Sequence, residues 1–227
     1  MIIDCHVHVY PPEVIKNWEK IAEKEDHFKT LVTNKVHKWA TAEDVIAQME
    51  KENIGQSWVF GFAFDDIGLC RECNDYVMEA VRKYPRRLKG VGVVNPVARG
   101  MEEESSRCAE AGFIGLGELF PQGQGFDLSD MRQTWRIAGL ADELEMFLMF
   151  HSAEPVGHVY GGKGNVGPKE AAEFSIHHPE VKVIYAHWGG GLWLYELMPE
   201  MKLYLRNTYY DTAATPWLYR AGMFDAA

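Results

Sequence analysis

The sequence predicts an α/β fold of parallel strands joined by helices. Seven apolar or β-branched runs recur along the chain, and helical patterns separate most of them. Such alternation is typical of parallel sheets with right-handed crossovers. The 227 residues fit one barrel-sized domain or two small ones, and the absence of a repeat or low-complexity linker favours a single domain over residues 1–227. The predicted strands are residues 2–8, 57–64, 88–95, 113–120, 146–152, 181–187 and 206–212.

Helix signals lie between the predicted strands. Thr41 fits an N-cap with Asp44 three residues on, which begins a helix through about residue 53. Pro168 suits the first turn of another helix. The long segment 9–40 is predicted to contain a short helix, and it either covers a site as a lid or is an ordinary surface excursion. The remaining predicted helices are residues 70–84, 99–111, 129–145 and 192–204.

The composition is that of a globular protein and argues against several classes. The chain is 47% hydrophobic and 25% charged. Its net charge of −10 argues against a nucleic-acid-binding surface. The negative charge does not exclude an anionic substrate, because a bound metal ion would dominate the local field. No apolar run approaches the roughly 20 residues of a membrane span, and the N-terminus begins directly in a strand, without a signal-peptide pattern. We therefore expect a soluble cytoplasmic protein that acts on a small-molecule substrate. We expect no nucleic-acid or membrane partner, and the sequence leaves open whether the protein forms a homo-oligomer.

The four cysteines do not indicate a disulfide scaffold in a chain of this length. Cys70 and Cys73 have C-x-x-C spacing, but no second pair completes a zinc site and the surrounding pattern is helical. Packing is therefore favoured over a metal or redox role. Cys5 is expected to be a small buried apolar side chain.

Two histidines near the N-terminus are the most informative feature of the chain. His6 and His8 lie two apart in a short apolar strand, and side chains two apart on a strand point to the same face. Two imidazoles converging from a rigid strand suit a metal such as zinc. The alternative is that one histidine packs in the core and the other is solvated.

Further polar side chains stand at the ends of later strands. In parallel α/β barrels, the carboxyl ends of the strands converge on the active site. A histidine packed in the core explains each position singly, but a shared site explains them better together. The four histidines and the glutamate at these ends are His6, His8, His151, His187 and Glu118, and Asp211 lies at the end of the seventh predicted strand.

These motifs resemble the amidohydrolase superfamily, and within it the amidohydrolase-related branch that contains the aminocarboxymuconate semialdehyde decarboxylase-like enzymes. The run Asp4-Cys5-His6-Val7-His8 is similar to the family's first-strand metal motif. His151 matches its fifth-strand histidine, and Ala186-His187-Trp188 followed by three glycines matches its sixth-strand motif. The resemblance spans residue 2 to about residue 220. It implies a TIM-type (β/α) barrel with one or two divalent metal ions, zinc first among them.

The resemblance also implies how the site residues divide their roles. His6, His8 and His151 would hold the main ion. In single-metal relatives the sixth-strand histidine, here His187, stays off the metal and acts as an acid or base or polarises the substrate. In two-metal relatives this histidine binds the second ion and a fourth-strand acidic residue bridges the two, a position that Glu118 occupies. The alternative role for Glu118 is to orient a histidine.

One part of the family's pattern is missing from this sequence. The family's eighth strand carries an aspartate that binds metal and takes a proton from the attacking water, but this chain offers seven predicted strands. Asp225 has no apolar strand around it, and Asp211 is interpreted as a structural or substrate-side group. We therefore predict a C-terminally truncated barrel without its eighth strand, or one whose edge a partner fills. We also predict a gap between the first and last strands and no carboxylate on that side of the metal site. A closed barrel would make Asp211 the leading candidate for the missing acid.

Loops after the strands supply candidates for substrate binding. Glu154 and His158 follow the fifth strand, with a plain turn as the alternative, and Trp188 follows His187. Residues 162–167 formally fit a dinucleotide fingerprint, but they do not directly follow a strand, so an active-site loop is favoured. The glycines 189–191 lead into a predicted helix whose amides suit a carboxylate or oxyanion, or they permit close packing.

The sequence thus favours a metal-dependent hydrolase that acts on a small carboxylated or cyclic substrate through metal-activated water. His187 would shuttle a proton or stabilise developing charge. The alternative is a non-oxidative decarboxylase that uses the same metal site. A second alternative is a barrel that has lost catalysis and remains as a metal-binding or interaction protein.

Overall fold

Seven parallel strands follow one another in chain order in the computed structural model, which describes residues 1–226. The first three strands form one sheet and the last four form another. A parallel bridge between Gly92 and Leu116 joins the two sheets, so the strands curve into a partial barrel. The strands are β1 (Ile3–His8), β2 (Gln56–Phe60), β3 (Leu88–Gly90), β4 (Gly115–Leu119), β5 (Phe147–Phe150), β6 (Val183–Tyr185) and β7 (Thr208–Tyr210).

Helices follow most of the strands and cover the outside of the barrel. A 3-10 segment, His187–Leu197, comes between β6 and the next short helix. Within residues 1–226, the helices lack the length and apolar character needed to span a bilayer. The helices are α1 (Pro12–Lys16), α2 (Trp18–Ala22), α3 (Asp26–Val32), α4 (Ala42–Glu52), α5 (Ile67–Lys83), α6 (Met101–Glu110), α7 (Met131–Glu143), α8 (Pro168–His177), α9 (Pro199–Lys202), α10 (Thr215–Leu218) and α11 (Met223–Ala226).

The predicted helix starts at Thr41 and Pro168 are confirmed. The Thr41 hydroxyl accepts the Asp44 N–H at 3.3 Å, and the Asp44 carboxylate accepts the Thr41 N–H at 2.8 Å, so the two residues form a capping box. Pro168 begins α8, where its missing N–H costs no helical hydrogen bond. Cys70 and Cys73 lie on the buried face of α5 as packing residues, whereas Cys5 is only half-buried.

Because successive side chains of a strand point to opposite faces, the core has an outer and an inner layer, and the site residues point inward. On β5, Phe150 packs against Phe174 of α8 on the outside, with ring centroids 4.9 Å apart. Met149 belongs to the inner cluster, and His151, two residues further on, shares its face. The same alternation on β1 packs the partly buried Val7 against the outer layer while His6 and His8 face the interior. Packing of the outer layer therefore fixes the direction of the inner polar side chains.

Two sequence predictions need correction in their extent. All seven predicted strands are present but shorter, because pairing stops where the chain turns into the loops at the carboxyl ends. The predicted helix 192–204 is instead 3-10 structure to Leu197 followed by the short α9. Trp188 and the three glycines after it all have positive φ, so the chain curls in the left-handed region that glycine tolerates. The glycines therefore do not form the N-terminus of a regular helix.

The predicted gap between the first and last strands is confirmed for the described residues. Within residues 1–226, no backbone pairing joins β1 to β7. The segment 9–40 contains three short helices rather than one, and part of it lines the cleft described below.

Candidate metal centre

Glu118, at the end of β4, lies at the centre of a cluster of histidines and is buried. Its Oε2 atom is 3.4 Å from His6 Nε2 and 3.2 Å from His8 Nε2. Its Oε1 atom is 2.9 Å from His151 Nδ1 and 3.4 Å from His187 Nε2. Each carboxylate oxygen therefore faces one pair of histidines, the first pair from β1 and the second from the ends of β5 and β6.

The other ring nitrogen of each histidine is hydrogen-bonded outside the cluster. His6 Nδ1 is 2.7 Å from Asp211 Oδ2, and the three other contacts are to backbone carbonyls. Imidazoles that bind metals in proteins usually donate their second N–H to such acceptors, which fixes the tautomer and the ring orientation. The three carbonyl contacts are His8 Nδ1 to Gly61 O at 3.1 Å, His187 Nδ1 to Ala213 O at 3.0 Å and His151 Nε2 to Lys163 O at 3.0 Å.

In this cluster, protonated imidazole rings lie against ionised carboxylates. Burial alone would raise the pKa of Glu118, but His6 and His151 lower that pKa well below its usual value. Burial would lower the pKa of His6, but the Glu118 and Asp211 carboxylates raise it well above its usual value. Burial would also lower the pKa of His187, but Glu118 raises it above its usual value. A divalent cation can compensate these buried carboxylates in place of the protons.

The donor set fits one or two divalent ions. His6, His8 and Glu118 offer ligand atoms within 4.8 Å of one another, and so do Glu118, His151 and His187. Imidazole nitrogen with carboxylate oxygen suits zinc and neighbouring transition metals. The predicted set for the main ion was His6, His8 and His151. The structure groups the ligands differently, because His151 lies with His187 on the other side of Glu118.

A cleft of about 890 Å³ opens beside the cluster rather than directly on it. The loop after β5 lines the cleft and is hydrogen-bonded to His151 through the Lys163 carbonyl. A Cβ built on Gly164 would lie 3.1 Å from His151 Cδ2 and 3.0 Å from the Phe120 ring, so this glycine allows the loop to lie against the cluster. His27, from α3, lines the cleft and stacks on Phe120 with ring centroids 3.6 Å apart.

The predicted substrate-binding residues lie in different places. Glu154 lines the cleft and accepts a hydrogen bond from the Tyr219 hydroxyl. His158 is exposed on the loop after β5, away from the histidine cluster. Trp188 is buried and donates its indole N–H to Thr215 Oγ1 at 2.9 Å. Only Glu154 among the three lines the large cleft.

Asp211 and His27 were not chosen as site residues from the sequence. Asp211 stands at the end of β7, so its strand-end position was the available signal, and it now lies on the outer side of His6. Asp211 faces the outer nitrogen of His6 and not the centre of the cluster, so the expectation that the metal site lacks a carboxylate ligand on this side stays a prediction. Asp225 is exposed in α11. Nothing in the sequence indicated that His27 lines the cleft, apart from its place in the segment predicted as a lid.

The sequence profile of the amidohydrolase family matches residues 3–227. The chain belongs to the amidohydrolase family. This finding confirms the resemblance, and the partial barrel agrees with the TIM-type fold that it implied. No curated protein sequence matches this chain significantly.

Solved structures share the fold of this chain at low sequence identity. The 5-carboxyvanillate decarboxylase LigW from Sphingomonas paucimobilis is 15% identical, with a TM-score of 0.73 over 93% of this chain and 80% of that one. A probable 2-pyrone-4,6-dicarboxylic acid hydrolase from Acinetobacter baumannii is 17% identical, with a TM-score of 0.60 over 98% and 73%. A 5-carboxyvanillate decarboxylase from Novosphingobium aromaticivorans with bound manganese is 19% identical, with a TM-score of 0.67 over 91% and 72%. Both hydrolases and decarboxylases therefore occur among the structural neighbours.

Proposed function

We propose that this amidohydrolase is a metal-dependent hydrolase with a two-ion centre. The observation that carries the proposal is the position of Glu118, with one carboxylate oxygen toward each pair of histidines. A carboxylate in this position suits a bridging ligand between two ions. Pairs of ions about 3.5–4 Å apart are a recurring arrangement in enzymes that hydrolyse their substrates.

The residues of the chain supply the ligands and their orientation. His6 and His8 would hold one ion with Glu118, and His151 and His187 would hold the other. Divalent ions there supply Lewis acidity and lower the pKa of water. Because His187 Nε2 faces Glu118 and its Nδ1 is held by the Ala213 carbonyl, its role in this arrangement is ligation rather than free proton transfer. Zinc is the proposed ion, since it accepts this mixture of nitrogen and oxygen ligands.

The cleft is the proposed route for a small substrate. It lies between α3 and the loops after β4 and β5, so it opens at the carboxyl ends of the strands, where active sites of parallel barrels lie. The named substrates of the neighbours are ring compounds that carry carboxylates. A small carboxylated or cyclic compound is therefore the proposed substrate class.

A non-oxidative decarboxylase is the competing proposal, and it uses the same residues. What supports it is the similarity in fold to LigW and to the manganese-bound decarboxylase. The position of Glu118 between the two pairs of histidines favours the hydrolase, because a carboxylate there would bridge two ions, and such a pair suits activation of water.

Metal reconstitution followed by product analysis tests the two proposals. The protein is freed of metal by a chelator, loaded with zinc or manganese, and its metal content is measured. It is then given cyclic esters and hydroxylated benzoic acids, and ring-opened acid and carbon dioxide are measured separately. The hydrolase proposal expects two ions and ring opening that depends on the metal. Release of carbon dioxide with one ion per chain would support the decarboxylase instead.

A further inference from the structure

Asp211 connects two strands of the candidate centre that are far apart in the sequence. It is 3% exposed and lies just beyond β7. Its Oδ2 atom is 2.7 Å from His6 Nδ1. Its Oδ1 atom accepts the backbone N–H of His187 at 2.9 Å and that of Ala213 at 3.0 Å. One buried carboxylate thus contacts a histidine of β1 and the backbone that carries the histidine after β6.

The contacts around Asp211 determine which nitrogen of His6 keeps its proton when the other nitrogen binds a metal ion. An ionised carboxylate only accepts hydrogen bonds, so His6 Nδ1 must donate to Asp211. The Nε2 atom is then the one that faces Glu118, at 3.4 Å. Because Asp211 and Glu118 lie at opposite nitrogens of the same ring, Asp211 lies outside the space that an ion would occupy.

We infer that Asp211 is a positioning residue for the metal centre, which keeps the proton of His6 on Nδ1 and leaves Nε2 for the metal. It also fixes the turn that carries His187, since the Ala213 N–H binds Asp211 while the Ala213 carbonyl accepts from His187 Nδ1. Asp211 therefore orients one ligand from each side of Glu118 without binding an ion itself. This inference rests on the proposed metal centre.

The substitution Asp211→Asn isolates this role at almost constant size. Two backbone N–H groups point at the position of Oδ1, so the amide oxygen of the asparagine must take that position. The amide nitrogen then takes the position of Oδ2 and presents an N–H to His6 Nδ1. His6 Nδ1 must now accept, and the ring proton moves to Nε2, the atom that faces Glu118. Zinc binding then requires removal of that proton.

Calorimetric titration of the metal-free protein with zinc measures the effect. We expect zinc to bind D211N roughly 10- to 100-fold more weakly than the wild type at one position, the range typical of losing an orienting partner. The matched control is D225N, because Asp225 is an exposed carboxylate outside the cluster. D225N should bind zinc as the wild type does.

Nitrogen NMR of histidine-labelled, zinc-loaded protein gives a readout that a merely structural role would not change. In the wild type, the His6 ring should show a protonated Nδ1, assigned from the signals missing in H6Q. This measurement also tests the inference if D211N fails to fold, since an unprotonated His6 Nδ1 in the wild type would overturn it. Equal zinc affinity of D211N and the wild type would overturn the inference alone. Failure of the wild type to bind either zinc or manganese would overturn the proposed function as well.

Discussion

The carbonyl oxygen of Lys163 lies 3.0 Å from His151 Nε2, so the loop that bounds the cleft is hydrogen-bonded to a candidate metal ligand. The same lysine donates its ammonium group to the carbonyls of Val156 and His158, at 2.6 and 3.2 Å. Lys163 therefore closes the loop through its ammonium group and attaches the loop to the cluster through its carbonyl oxygen. A substitution in this loop should therefore change the metal affinity of the cluster.

Gly164→Ala should weaken metal binding and activity through this contact. The added Cβ would lie close to His151 and Phe120, and the positive φ of 73° also disfavours a side chain. The matched control is Gly157→Ala, since Gly157 also has a positive φ, of 86°, but its Cβ would meet nothing within 4 Å. Thermal unfolding should show a similar loss of roughly 1 kcal/mol for the backbone in both variants. Zinc affinity should fall in G164A only, and an equal fall in G157A would contradict the proposed contact.

Glu118→Gln should impair metal binding at both positions. Glu118 offers an oxygen to each pair of histidines, and the neutral amide keeps only one oxygen and no charge. The loss of zinc affinity should exceed the roughly 10- to 100-fold that follows from losing an orienting partner alone. Elemental analysis after reconstitution measures the stoichiometry, with the exposed Glu110→Gln as control. Full metal content in E118Q would mean that Glu118 is not a ligand.

His187→Ala should remove one ion and leave the other. His187 shares its side of Glu118 with His151, whereas His6 and His8 contact the opposite oxygen. We expect zinc per chain to fall from two to one and hydrolysis to be lost. The control is His177→Ala, an exposed histidine at the end of α8. Unchanged metal content with lost activity would instead assign His187 to acid–base chemistry in a one-ion centre.

The stability of the protein should depend on pH through His27. Burial against the aromatic side chains of the cleft, assisted by His151, lowers the pKa of His27 from 6.5 to about 4. The unfolded chain therefore binds a proton at His27 more readily than the folded one. This contribution to stability is fully present above pH 6.5 and is lost as the pH falls toward 4.

His27→Phe keeps an aromatic ring on Phe120 and removes the titration. Between pH 7 and pH 5, the wild type should lose roughly 1–2 kcal/mol more of its unfolding free energy than H27F does. Urea unfolding of both proteins at the two pH values measures this difference. The exposed His158→Phe serves as control and should follow the wild type. Parallel pH dependence of the wild type and H27F would show that His27 stays unshifted in the fold.

The order of the strands and the identity of the clustered side chains were predictable because both depend on local patterns. Strand alternation aims His6 and His8 to one face, and the carboxyl ends of parallel strands bring Glu118, His151 and His187 together. The proposed hydrolase remains a prediction, since ligand geometry alone does not determine which bond is broken.

The partition of the ligands and the role of Asp211 were not predictable from the sequence. They depend on a left-handed turn, in which His187 has a φ of 55° and departs from the alternation of β6. They also depend on backbone carbonyls, such as those of Gly61 and Ala213, whose positions leave no trace in residue type. Asp211 was interpreted as structural or substrate-side because no pattern places the end of β7 against a ring of β1.

Metal binding should link the stability of β1 to that of the later strands. Within residues 1–226, β1 and β7 share no backbone pairing, and the hydrogen bond from His6 to Asp211 crosses the space between them. Ions held jointly through Glu118 would act as a cross-link between the first strand and the later ones, and binding to the folded state adds to its stability. Backbone amides of β1 should therefore exchange with solvent faster in the metal-free chain than in the loaded form.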